Sequence, residues 1–153
     1  MNSGNIKQSA ISCLWLILAT TLVPQVFSRA QNPSPHQGNI SAKPTISITG
    51  VPHAGQGGTG RVEPISGVVK GVVFASHKVV IYAFAGETWW VQPTAVNPLT
   101  DVDNVGKWET DTHLGNSYAA LLVRDAFKPP ATIDALPSVQ GDVIAIVRVA
   151  GVR

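Results

Sequence analysis

From Thr45 to Val149 the chain is a succession of short runs rich in β-branched and aromatic residues, each closed by a Gly or Pro cluster. No window carries a helical period with caps, so the chain must bury its apolar surface by pairing strands. The runs are Thr45–Thr49, Arg61–Val69, Lys78–Phe84, Thr88–Gln92, Lys107–Asp111, Tyr118–Val123 and Asp142–Val149. The connections hold Gly55-Gln56-Gly57-Gly58, Ala85-Gly86, Asn97-Pro98, Asn104-Val105-Gly106, Lys128-Pro129-Pro130 and Gln140-Gly141. Strands at this spacing predict an all-β, immunoglobulin-like antiparallel β-sandwich of about seven strands over residues 45–153.

The first 30 residues have the three parts of an export signal. Lys7 is the positive region, Ala10–Ala19 the apolar core, and Ser28-Arg29-Ala30 places small residues at a cut before Gln31. A signal peptide is therefore expected over residues 1–30, and the alternative is an uncleaved anchor that Pro24 interrupts. Residues 31–44, polar and proline-rich without periodicity, are expected to be a flexible linker. Together these features predict a secreted or periplasmic protein, with membrane contact only if the leader stays attached.

Cys13, the single cysteine, falls inside the leader, so the domain has no disulfide and no cysteine-based metal site. Without Lys7 and Arg29, nine basic residues face nine acidic ones. A neutral chain with its lysines and arginines scattered singly lacks the clustered charge that counterion release from nucleic acid requires, and no nucleic acid partner is expected.

Two motifs invite a chemical reading and fail it. Gly55-Gln56-Gly57-Gly58-Thr59-Gly60 matches a dinucleotide fingerprint, but Arg61-Val62-Glu63-Pro64-Ile65 follows as a strand where a phosphate cradle needs a helix N-terminus. A glycine loop between two strands is the better reading. Asp101-Val102-Asp103-Asn104-Val105-Gly106 starts like a calcium loop, yet Val105 and Thr112 stand where ligands are required. Turn chemistry explains the same residues. His36, His53, His77 and His113 show no zinc spacing and read as loop histidines, and no nucleophile elbow accompanies Asp111 and His113. No metal, no cofactor and no catalytic residue is expected.

Aromatic placement carries the most information. Neighbouring strand residues face opposite sides, so Trp89, grouped with Val91, is expected inside, and Trp90, grouped with Thr88 and Gln92, on the more polar side. Trp108 alternates with Lys107 and Glu109 and is expected to be buried. A solvent-facing indole beside an amide can stack on the apolar face of a sugar ring while the amide bonds its hydroxyls. Exposed aromatics also mark protein interfaces.

The ordered set Val51-Pro52, Gly67-Val68-Val69, Val79–Ala83, Trp89-Trp90-Val91-Gln92-Pro93, Gly106-Lys107-Trp108, Tyr118–Val123 and Lys128-Pro129-Pro130 with Leu136-Pro137 resembles a bacterial extracellular β-sandwich module. Modules of that kind often stand beside secreted carbohydrate-active enzymes. The resemblance spans nearly all of Thr45 to Val152 and implies the sandwich fold and an accessory role; it assigns no binding residues.

The functional expectation is a non-catalytic exported module that binds carbohydrate or another cell-surface component, with Trp90, Tyr82 and Gln92 at the contact surface. The alternative is a structural or protein-interaction domain of the cell envelope with no small ligand. A hydrolase using Asp111 or Glu109 comes third.

Overall fold

The computed structural model describes residues 42–153. The leader expected over residues 1–30, and the linker as far as residue 41, lie outside the described residues. Nine strands follow in order: β1 (Thr45–Gly50), β2 (Val62–Lys70), β3 (His77–Ala85), β4 (Thr88–Gln92), β5 (Thr100–Asp101), β6 (Lys107–His113), β7 (Ser117–Arg124), β8 (Thr132–Ile133) and β9 (Val143–Ala150). The seven longer ones are the seven read from the sequence. The two-residue β5 and β8 are additions, too short to show a period.

The strands form two antiparallel sheets, a three-stranded one in the order β1-β2-β6 and a six-stranded one in the order β8-β4-β3-β7-β9, with β5 also paired to β3. The result is an immunoglobulin-like sandwich whose two sheets are unequal in width. Its core lies between them. Ile46, Ile65, Val69 and Trp108 of the small sheet meet Val79, Ile81, Ala83, Tyr118, Ala120 and Leu122 of the large one. Gly67 is paired with Trp108, and a Cβ there would run into the Trp108 ring and the Ser47 carbonyl oxygen, so the bare backbone makes room for the indole.

The large sheet is also covered on its other face. Val80, Tyr82, Trp89, Val91, Ala119, Leu121, Val123 and Val143 form a second cluster, and Phe127, Ile133 and Leu136 from the β7–β9 connection pack onto it. A sheet buried on both faces needs strands without polar alternation, which is why β3 and β7 read as continuous apolar runs. The two central strands fit by size as well: Tyr82 stands opposite Ala119 on one face and Tyr118 opposite Ala83 on the other, so each large ring has a small partner.

At one end of the sandwich the chain after β1 leaves the small sheet and joins the large one. Ala54 N–H donates to the Val152 carbonyl (2.7 Å), Val152 N–H to Pro52 (2.9 Å) and Gly55 N–H to Gly115 (3.1 Å). Tyr118 locks this crossing. Its hydroxyl accepts from Gly115 N–H (3.0 Å) and donates to the His53 carbonyl (2.6 Å), in the manner of a tyrosine corner.

Candidate functional site

The unequal width of the sheets creates the site. On β4, alternation sends Trp89 into the second cluster, 4% exposed, and turns Trp90 toward the small sheet. Trp90 lies beyond that sheet's edge strand β6, so it remains 51% exposed. Around it is a cleft of about 410 Å³ lined by Gly57, Gly58, Thr59, Ala83, Ala85, Trp90, Val91, Gln92, Pro93, His113 and Leu114. That volume falls within the usual range for small-ligand sites. One wall is the β1–β2 glycine loop and another is the start of the β6–β7 connection.

Both walls are anchored. The glycine loop is tied at its start by the bonds from Ala54 and Gly55. Beyond its end, the Glu63 carboxylate accepts from His53 N–H (2.8 Å), lies 3.0 Å from His53 Nδ1 and accepts from Arg61 (2.6 Å). These partners, led by the His53 backbone N–H and then its ring, hold the Glu63 carboxyl below the usual carboxylate range. The opposite wall is fixed by the pairing of His113 with Val62.

The Trp90 indole N–H donates to the Ala85 carbonyl at 3.2 Å. With its N–H satisfied internally, the ring offers its apolar face. Gln92, 3% exposed, spends its amide on the frame: Oε1 accepts from His113 N–H at 2.9 Å and meets His113 Nδ1 at 3.0 Å, while Nε2 donates to the Trp90 carbonyl at 3.2 Å. Gln92 therefore joins β4 to β6 across the open side of the sandwich. The walls beyond it are largely apolar.

Of the three residues expected at the contact surface, Trp90 and Gln92 come together at the cleft and Tyr82 does not. Tyr82 is 1% exposed and points into the second cluster, where its hydroxyl donates to the Pro130 carbonyl at 2.9 Å. Strand parity explains the correction, since Tyr82 and Trp90 belong to opposite faces of the large sheet. Burial pushes the Tyr82 hydroxyl pKa up to about 12. Gln92 is corrected in role, because its amide is engaged inside the protein. Trp108 is buried as expected.

The glycine loop and His113, read from sequence as a connector and a loop histidine, both line the cleft. No sequence signal pointed to them, because alternation places Gln92, the amide that reaches His113, on the more polar side and does not show its burial.

No carboxylate lines the Trp90 cleft among the described residues. Glu109 and Asp111 are exposed on β6, and Glu109 borders a separate depression beside Trp108 together with Asp101 and Asp103. There Asp103 accepts from the backbone N–H of Val105 (2.9 Å) and Lys107 (2.7 Å), and Asp101 pairs with Lys78. Asp103 is thus committed to this turn and Asp101 to Lys78 of β3. Behind the sheet, Arg148 lies over the Trp89 ring, 5.1 Å from its centroid.

The fold and the cleft define an immunoglobulin-like β-sandwich with an aromatic-lined recess at the overhanging edge of its larger sheet. Comparison with protein-family models, with curated proteins and with solved structures finds no match.

Proposed function

We propose that this protein is a non-catalytic, exported β-sandwich module of the cell envelope that binds a saccharide at the Trp90 cleft. The observation that carries the reading is the presentation of Trp90: half exposed, held by its own N–H to Ala85, and lining a concave recess. A pyranose has a C–H-lined face that matches such a ring. Export and the bacterial envelope setting rest on the leader pattern in residues 1–30 and on the resemblance to extracellular modules.

A second reading, a protein-interaction domain of the envelope, is favoured by the apolar walls and by the internal commitment of the Gln92 amide. A glycan array and an insoluble-polysaccharide pull-down, run with the native protein and with Trp90→Ala, separate the two. Binding that disappears in the variant while its thermal transition is retained supports the saccharide reading. Failure of the native protein to bind any glycan would leave the protein-interaction reading in its place.

A further inference from the structure

The hydrogen bonds behind the cleft specify which polar group it can offer a ligand. A backbone N–H can only donate, so the Gln92 atom that meets His113 N–H at 2.9 Å must be the amide oxygen. The same oxygen lies 3.0 Å from His113 Nδ1. An amide oxygen only accepts, and Nδ1 must therefore carry the proton. In the neutral ring the other nitrogen, Nε2, is then a bare acceptor, and it has no partner among the described residues. Gln92 acts as a positioning residue that sets the tautomer of His113.

Apart from Thr59 and the backbone of Gly57 and Gly58, the remainder of the recess is apolar, built from Trp90, Ala83, Ala85, Pro93 and Leu114. A hexose hydroxyl can donate to the same nitrogen, but it brings no apolar group to the lining beside it. A ring bearing one N–H donor and one methyl fits better.

We infer that the cleft takes an N-acetylated amino sugar: its ring stacks on Trp90, its acetamido N–H donates to His113 Nε2, and its acetyl methyl lies against Ala83, Ala85 and Leu114. The inference rests on the saccharide reading above. No covalent step is involved.

Calorimetric titration of the full chain with the β-1,4-linked tetramers of N-acetylglucosamine and of glucose tests it. The acetylated tetramer is expected to bind ~10-fold tighter or more, a factor equivalent to about 1.4 kcal/mol. His113→Phe keeps a planar ring but removes the acceptor, and is expected to bring the two affinities within about threefold of each other. Imidazole 15N NMR of the native protein gives a readout that needs no variant: His113 should be protonated at Nδ1, and its Nε2 resonance should move on adding the acetylated tetramer. In Gln92→Ala the same spectrum should show the tautomer released and the preference reduced.

Equal affinity for the two tetramers would overturn the inference and leave the saccharide reading standing. A preference that survives His113→Phe intact, or an Nε2-protonated His113 in the native protein, would overturn it as well. Binding of neither tetramer, with no glycan retained on the array, would remove the saccharide reading and the inference with it.

Discussion

Trp89 and Trp90 are adjacent in the chain and opposite in physical situation, and substitution should separate them. Trp89 packs against Phe84 with ring centroids 5.0 Å apart and lies beneath Arg148. Its replacement by alanine is expected to cost about 3–5 kcal/mol in denaturant unfolding. Trp90→Ala, which removes a half-exposed ring, should cost only about 1–2 kcal/mol while abolishing ligand binding. At Tyr118 the ring belongs to the core, and the hydroxyl can be tested by itself. Tyr118→Phe strips Gly115 N–H and the His53 carbonyl of a buried partner, so a loss of about 1–3 kcal/mol is expected, measured by the same unfolding experiment. Residue identities in strands were legible at this scale because alternation assigns a face without knowledge of the partner sheet. The error at Tyr82 has the same origin: its run is apolar on both sides, so alternation could not say which face was open.

Among the elements, the β3–β4 hairpin offers the clearest test of local conformation. Gly86 and Glu87 join Ala85 to Thr88 with φ angles of 59° and 67°, the positive values that a two-residue type I′ turn requires at both positions. Glycine adopts them freely and glutamate does not. Glu87→Asn, which places a residue tolerant of that region in the same turn, is expected to stabilise the protein by about 0.5–1 kcal/mol, visible as a raised thermal midpoint. In β2 the opposite outcome is expected. Gly67→Ala would press a methyl into the Trp108 ring and the Ser47 carbonyl, with a loss of about 3 kcal/mol in the same measurement. The seven long strands were readable because each carries a period or an apolar run between turn residues. The cover over the second face was not, since Phe127, Ile133 and Leu136 are single apolar residues in an irregular connection that shows no period. The cleft was half readable: Trp90 announced itself, but its walls come from the β1–β2 and β6–β7 connections, and only the folded chain brings them to one end of β4.

For the whole molecule, the perturbed groups set the edges of its pH range. Tyr82, pushed up to about 12, and Tyr118, raised mainly by burial, stay neutral in the folded state where the unfolded chain would ionise. Their contribution is fully present below about pH 10, the ordinary tyrosine value, and is lost as pH rises through their raised folded values. Thermal midpoints are expected to fall on that alkaline limb, and less steeply in Tyr82→Phe. Glu63 has the opposite sign: its folded pKa is lowered, so its share is present above the ordinary carboxylate range and is lost as pH falls through the lowered value. The acid limb should flatten in Glu63→Gln. The burial of the large sheet on both faces has one more effect. In an ordinary half-buried strand, sliding by one residue would expose the apolar set to water, and that cost enforces correct alignment. Strands β3 and β7 have no such safeguard, because sliding merely exchanges one interior for the other. Alignment fidelity must instead come from sparse local marks: the two-residue Gly86–Glu87 turn, the tyrosine–alanine pairs across β3 and β7, and the Tyr118 hydroxyl, which finds Gly115 and His53 in one frame only.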